Sequence, residues 1–250
     1  MLGTASGQVE LFRLLATGGS SPSQTPSTPR LQVVARRRSE VLNRAANVAI
    51  AVLALVLLSP ILLLIALAVK LSSPGPILYM QTRVGMDRRR RPTTAVFDRR
   101  SGDVGGLAFR IYKFRSMYVD AEQRTGAVWA TKNDPRVTSV GRFLRKTRLD
   151  EVPQLLNVIK GDMNIVGPRP ERPSIFAELR SNIAEYPLRQ QARPGITGWA
   201  QINRAYDTTL DDVRAKVQLD LEYLRRQSLF EDVKIMLRTL PVMLFNRGAC

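Results

Sequence analysis

The alternation of apolar and polar positions divides the chain into three stretches. Residues 1–40 carry GGSSPSQTPSTPR and no sustained periodicity, which predicts a mobile, basic tail. Residues 41–70 are dominated by the uncharged run AANVAIAVLALVLLSPILLLIALAV, 25 residues from Ala45 to Val69. As a helix this run measures about 37 Å, enough to cross a hydrocarbon core of roughly 30 Å. It begins too far into the chain, and is too long, for a cleaved leader. From 71 to 250 short periodicities return and predict a folded domain.

Within that domain SSPGP marks a turn, and ILYMQTRVG reads as a short strand. Residues 87–107, with the run Arg88–Arg91 and the loop sequence SGDVGG, read as an exposed insertion. Phe109, Ile111, Lys113, Arg115 and Met117 alternate, as one face of a strand. Helical spacing follows over 140–147, 150–160, 173–185 and 208–226. The last carries Leu210, Val213, Val217, Leu221 and Leu224 on one stripe. Residues 229–245 form an amphipathic stretch broken at Pro241, suited to the core or to a membrane interface. The pattern predicts an α+β fold, mostly helical.

The apolar run has its own punctuation. Pro60 lacks an N–H and frees the carbonyl of Val56, so a bend is expected there, with the Ser59 hydroxyl available to nearby backbone. Both flanks are basic: five arginines (30, 36, 37, 38, 44) precede the run and five basic residues (70, 83, 88, 89, 90) follow it. Positive flanks belong in the cytoplasm, so the pattern favours a re-entrant helix broken at Ser59-Pro60 over a simple spanning anchor.

Charge and composition then narrow the chemistry. A net charge of +17 points to anionic partners: nucleic acid, lipid headgroups or phosphorylated substrates. The single cysteine, Cys250, excludes a disulfide framework and does not sit in a prenylation box. The absence of histidine excludes Ser-His-Asp chemistry and most zinc sites, leaving carboxylates, lysine, tyrosine and hydroxyls to do any chemistry.

The densest candidate is RFLRKTRLDEVPQLLNVIKGDMNIVGPRPERP. Asp150 and Glu151 open a predicted helix that tolerates Pro153 in its first turn and ends at Gly161. There they feel the helix dipole and Arg142, Arg145, Lys146 and Arg148, while repelling each other. A Mg²⁺ ion would reconcile the two carboxylates and neutralise a pyrophosphate; the plainer alternative is a helix cap. Pro168-Arg169-Pro170 fixes an arginine between rigid residues, which suits bidentate phosphate binding or a simple extended turn. Lys113 and Arg115 can clamp phosphates or face water. The loop RPGITGWAQ, with two glycines, lets backbone approach a ligand, and its Trp199 suits the core, a stacked base or an interface.

Taken together, SPGP (73–76), QTRVG (81–85), FRIYKFRSM (109–117), GRFLRKTRLDEVPQLLNVIKGDMNIVGPRPE (141–171) and RPGITGWAQ (193–201) resemble the bacterial sugar transferase family, the monotopic polyprenol-phosphate phosphoglycosyl transferases, in its small form. The resemblance implies one re-entrant membrane hairpin and a cytosolic catalytic domain with amphipathic interfacial helices, at the bacterial inner membrane. It implies a UDP-sugar donor, a polyprenyl (undecaprenyl) phosphate acceptor and contact with anionic lipid, without nucleic acid. Asp150 would be the nucleophile, releasing UMP. Glu151 would help hold Mg²⁺ or move a proton. Arg169, Lys113, Arg115 and Arg148 would bind phosphate, and Gln201 the nucleotide or sugar. Two departures stand out. The 87–107 stretch is longer than expected, and Ile-Asn-Arg-Ala-Tyr follows Gln201 where relatives often carry Asn-Gly-Arg. A rival of another class is a membrane-tethered basic scaffold for nucleic acid or anionic lipid, which needs the charge and not the Asp-Glu pair.

Overall fold

The computed structural model describes residues 35–36, 38–87, 105–119, 121, 134–204 and 209–244. Most of the predicted tail, the body of the 87–107 insertion and Cys250 lie outside the described residues.

Helix α1, Glu40–Ser72, opens on Ser39, whose hydroxyl accepts from the Leu42 N–H, and carries Glu40 in its first turn. Its length, 33 residues, corresponds to about 50 Å. It is long and apolar enough to cross a membrane. Only its two ends are buried, at Asn43, Asn47 and Ala51, then at Ile65 and Val69. Val52, Leu53, Val56, Leu57, Ile61, Leu63 and Leu64 between them are exposed. The expected break at Ser59-Pro60 does not interrupt the helix, which runs through it. The reason lies in a local repair: the Ser59 hydroxyl donates to the Val56 carbonyl at 2.8 Å, the oxygen that Pro60 leaves without its N–H.

Strands β1 (Leu78–Val84) and β2 (Ala108–Phe114) pair antiparallel, Tyr79 opposite Lys113 and Gln81 opposite Ile111. Helix α2 (Ser139–Thr147) is capped by the Thr138 hydroxyl. A 3-10 helix (Leu149–Gln154) and α3 (Leu155–Lys160) occupy the span predicted as one helix. Pro153 explains the tighter first turn, since it supplies no N–H to an α-type ladder. Gly161, at φ 92°, ends α3 as expected.

Two short strands escaped the sequence reading: β3 (Asn164–Val166) and β4 (Gly195–Thr197), paired in parallel. Three residues are too few to show alternation. Their approach is close enough that a Cβ on Gly195 would lie 2.1 Å from the Gly167 nitrogen. Helix α4 (Pro173–Asn182) stops short of the predicted 185, and a 3-10 helix, Tyr186–Gln191, follows. The chain continues through α5 (Trp199–Asn203), α6 (Leu210–Arg226, with a Thr209/Asp212 capping box) and α7 (Leu229–Leu244). Pro241 does not break α7, which continues to Leu244.

The stripe read on α6 is buried at Val213, Val217, Leu221 and Leu224, against Val166, Phe176, Tyr186 and Ile235. Two further clusters seat α1. Ala51 packs with Ile111, Leu155, Val158 and Met163, and Ile65 with Val69 packs against Phe114 and Leu144. Of α7, Ile235 is in the core, while Leu229, Phe230, Val233, Leu237 and Leu240 remain exposed.

Candidate active site

Arg148 terminates α2 in the left-handed conformation, φ 55°, and is the one non-glycine residue with positive φ among the described residues. Such a conformation costs on the order of 1 kcal/mol or more. It turns the chain sharply into the 3-10 helix, whose first turn delivers Asp150 and Glu151 against β2. Both carboxylates are buried, at 8% exposure each.

Their surroundings differ. Glu151 receives a bidentate fork from Arg169, Nη2 to Oε1 at 2.5 Å and Nη1 to Oε2 at 3.2 Å, and the Lys113 ammonium at 2.7 Å. Burial alone would raise its carboxyl, but Arg169 and Lys113 outweigh that and hold it well below the usual range. The Asp150 carboxylate makes no hydrogen bond or ion pair among the described residues. Burial first, then the Glu151 charge, push its carboxyl up to about 6, against Lys113, Arg145 and Arg169. One carboxylate of the pair is therefore fixed as an anion between two cations, and the other stands free beside it.

The fork is held from behind. Four consecutive carbonyls of Pro168-Arg169-Pro170-Glu171 each accept one bond, from the Gly195 N–H, Arg189 Nη2, Arg83 Nη1 and the Val84 N–H. The two prolines contribute no N–H, so the segment's backbone is satisfied through its oxygens. Glu171 meets Lys216 at 3.1 Å and Arg83 at 3.7 Å. Arg189 meets Asp220 at 2.7 Å and the Tyr186 hydroxyl at 2.7 Å. A shallow pocket open to solvent borders this segment, lined by Gly85, Arg169, Phe176 and Gln190 among others.

Of the predicted site residues, Asp150, Glu151, Lys113 and Arg169 come together, and Arg148 supplies the turn that brings the carboxylates in. Arg115 does not join them. It lies past the end of β2, free of the strand's alternation, and its Nη2 donates to the Val69 carbonyl (3.1 Å), the Ser73 carbonyl (2.6 Å) and the Ser73 hydroxyl (3.0 Å). It thus caps the C-terminal end of α1. Gln201 braces its own loop by donating to the Ile196 carbonyl at 3.1 Å. Trp199 packs half-buried against the edge of the main core; Arg226 lies 4.0 Å and Arg238 5.5 Å from its ring centroid, and its Nε1–H donates to Glu222. Sequence reasoning missed Arg83, Glu171, Arg189, Lys216 and Asp220. The available signal was Lys216 and Asp220 one turn apart on a helix whose other face is apolar.

Among the described residues no group of three or more histidine, cysteine, aspartate or glutamate side chains gathers. Mg²⁺ commonly takes one or two carboxylates and completes its shell with phosphate oxygens and water. The free Asp150 carboxylate fits that role. Glu151 fits it once a cation has moved off one of its oxygens.

The site is thus a buried carboxylate without a side-chain partner, beside one that is fixed by an arginine fork and a lysine. A model of the bacterial sugar transferase family matches residues 38–246, and the chain belongs to that family. It is similar to the UDP-glucose:undecaprenyl-phosphate glucose-1-phosphate transferase of Escherichia coli, 41% identical over 240 residues, 95% of this chain and 48% of that protein. The Caulobacter vibrioides protein of the same name is 41% identical over 226 residues, 90% of this chain and 76% of that protein. The UDP-N-acetylgalactosamine-undecaprenyl-phosphate N-acetylgalactosaminephosphotransferase of Aeromonas hydrophila is 41% identical over 208 residues, 83% and 45% of the two chains. The chain thus spans about half the length of several curated relatives it matches.

Proposed function

We propose that this protein transfers a sugar 1-phosphate from a UDP-sugar to undecaprenyl phosphate through a covalent intermediate on Asp150. The observation that carries the reading is the asymmetry of the dyad: Asp150 without a partner, next to a Glu151 bound by Arg169 and Lys113. In the first step an Asp150 oxygen attacks the sugar-bearing phosphorus. The bond from that phosphorus to the bridging oxygen breaks, and UMP leaves with the electron pair. In the second step an oxygen of the polyprenyl phosphate attacks the same phosphorus and expels the Asp150 carboxylate. Splitting the transfer lets a soluble donor and a lipid acceptor use one site in turn.

A carboxylate approaching a diphosphate is repelled, so cationic side chains must meet the charge that spreads over the phosphate oxygens. Arg169, stiffened by its flanking prolines, presents two N–H groups to one phosphate, and Lys113 a point charge to the next. A phosphate that takes over the Arg169 fork releases Oε2 of Glu151, while Lys113 still holds Oε1. Mg²⁺, held by Asp150 and the released Glu151, would supply charge neutralisation at the diphosphate. Arg148 and Gln201 act on the geometry of the turn and loop, and Arg115 on the seating of α1.

The membrane placement belongs to the same proposal. The N-terminal end of α1 is bound by β3 and α3: Asn47 accepts from the Ile165 N–H at 2.7 Å, and Arg44 donates to the Val158 and Ile159 carbonyls. Arg115 binds the other end. With both ends on one domain, the exposed run from Val52 to Leu64 lies within one leaflet, and the exposed apolar stripe of α7 lies along its interface. The site then stands at headgroup depth on the cytoplasmic face of the inner membrane, at the first lipid-linked step of exopolysaccharide, O-antigen or glycoprotein glycan assembly.

The test is incubation of the membrane-reconstituted protein with candidate UDP-sugars and Mg²⁺, without lipid acceptor. The expected result is a stoichiometric UMP burst and a phosphosugar mass on the peptide containing Asp150, both lost in Asp150→Asn. Release of UDP instead, or a burst that survives Asp150→Asn, refutes the mechanism. A basic scaffold would bind anionic vesicles equally well with either residue and release no nucleotide.

A further inference from the structure

We infer that the buried Asp220–Arg189 pair is a positioning device for the arginine that faces Glu151; the inference rests on the proposed role of Arg169 as a phosphate clamp. Arg189 is 4% exposed and spends its nitrogens on three partners: Nε on Asp220 (2.7 Å), Nη1 on the Tyr186 hydroxyl (2.7 Å) and Nη2 on the Arg169 carbonyl (3.1 Å). Asp220 is 2% exposed, and its helix α6 also supplies Lys216, one turn earlier, to Glu171 at 3.1 Å. Two opposite charges on one face of α6 therefore reach the Pro168–Glu171 segment at two separate points.

Isolated buried ion pairs are a poor source of stability, because desolvation offsets their attraction, and apolar replacements are often no worse. What an apolar replacement cannot do is donate to a main-chain carbonyl. The third partner of Arg189 is the carbonyl of the residue whose side chain forks onto Glu151. Pro168 and Pro170 restrict φ on either side of Arg169, and the Arg189 bond fixes the orientation of the intervening peptide. Helix α6 thereby sets where the Arg169 guanidinium points without touching substrate.

Lysine at 189 retains the charge opposite Asp220 but has a single nitrogen and cannot hold three partners in a fixed fork. Arg189→Lys is expected to slow the UMP burst by about tenfold to a hundredfold, the range that an ångström-scale displacement produces. In an Arg169→Lys background the same change should add less than about twofold, since the group being positioned is already gone. Tyr186→Phe, which removes only the phenol partner, should move the rate in the same direction by a smaller factor and lose its effect in the same background. Asp232→Asn serves as the control. It breaks a comparable buried cluster with Arg38 (2.8 Å) and Tyr223 (2.6 Å) and should leave the burst unchanged at an equal loss of Tm.

UDP affinity, measured by calorimetry on the same reconstituted variants, separates this inference from the catalytic reading. If wild type binds UDP but gives no burst, the catalytic proposal fails. The positioning inference then still requires Arg189→Lys to weaken UDP binding as Arg169→Lys does, with no further loss in the double variant. Full multiplication of the two single effects, or equal slowing by Asp232→Asn, overturns it.

Discussion

Glu171→Gln tests the charge network behind the active-site arginine on a scale that the structure fixes. Glu171 is enclosed by cations: burial pushes its carboxyl up, but Lys216, Arg189 and Arg83 pull it from 4.5 down to about 2. A depression of that size stabilises the folded state by about 3 kcal/mol while the carboxylate is ionised. Because the folded value lies below the unfolded one, this contribution is complete above pH 4.5 and is lost as pH falls toward 2. The amide keeps the shape and removes the charge, so wild type and variant should differ by about 3 kcal/mol at pH 7, or roughly 6–12 °C in Tm for a domain of this size. The gap should close steadily between about pH 4.5 and pH 2. Thermal scans of both proteins in one detergent, across that range, measure it directly. A gap that stays constant from pH 7 to pH 3 would mean that Glu171 acts through packing alone, and the cationic cage would lose its assigned role.

Other perturbations have equally definite outcomes. Glu151→Gln leaves Lys113 and Arg169 facing each other without the carboxylate that they share; a loss of about 3–5 kcal/mol is expected, read by urea or thermal unfolding, together with loss of the UMP burst. Arg115→Met removes three hydrogen bonds to the end of α1, and limited proteolysis should cut faster around residues 72–77 than in wild type. Gly195→Ala drives a methyl into the Gly167 backbone nitrogen and should lower Tm more than Gly161→Ala, where the methyl meets the flexible Arg44 side chain and the cost is the strain of an alanine at φ 92°. Ser59→Ala leaves the Val56 carbonyl without the hydroxyl that replaces the missing Pro60 N–H and should cost about 1 kcal/mol in folding assays in bicelles.

Much of this architecture was legible wherever the sequence carries a long or regular pattern. The apolar run, the strands either side of 87–107, the stripe on α6 and the Gly161 stop all follow from periodicity and punctuation. The repair of Pro60 by Ser59 was readable too, because only one hydroxyl lies near the freed carbonyl. The dyad with Lys113 and Arg169 was visible as residue types, but its asymmetry was not. Which carboxylate captures both cations depends on the left-handed turn at Arg148, and nothing in RKTRLDE marks an arginine as its pivot. Arg115 lies one residue beyond the last ladder pair, Phe114 with Leu78, so strand alternation does not govern where its side chain goes. The parallel β3–β4 contact and the Glu171 and Asp220 clusters join residues about 30 to 45 positions apart, a range at which a single sequence holds no local signal.

In the proposed membrane placement, the seating of α1 links the chemistry to the bilayer. Asn157, fully buried on α3, accepts from the Tyr112 N–H and donates to the Arg110 carbonyl, so β2 and α3 form one rigid unit. Lys113 lies on that unit, Arg115 follows it, and the backbone of α3 receives Arg44. The two attachments of the membrane helix and one cation of the active site are therefore parts of the same piece of structure. A helix spanning the bilayer would have its ends separated by roughly 30 Å of hydrocarbon, and a single domain in water could reach only one of them. In the proposed one-leaflet placement, holding both ends ties the depth of the apolar run to the position of Lys113, and through it to Glu151. In the proposed mechanism a lipid phosphate and a soluble diphosphate must reach the same carboxylate in turn, and this shared unit is what keeps that carboxylate at one depth for both.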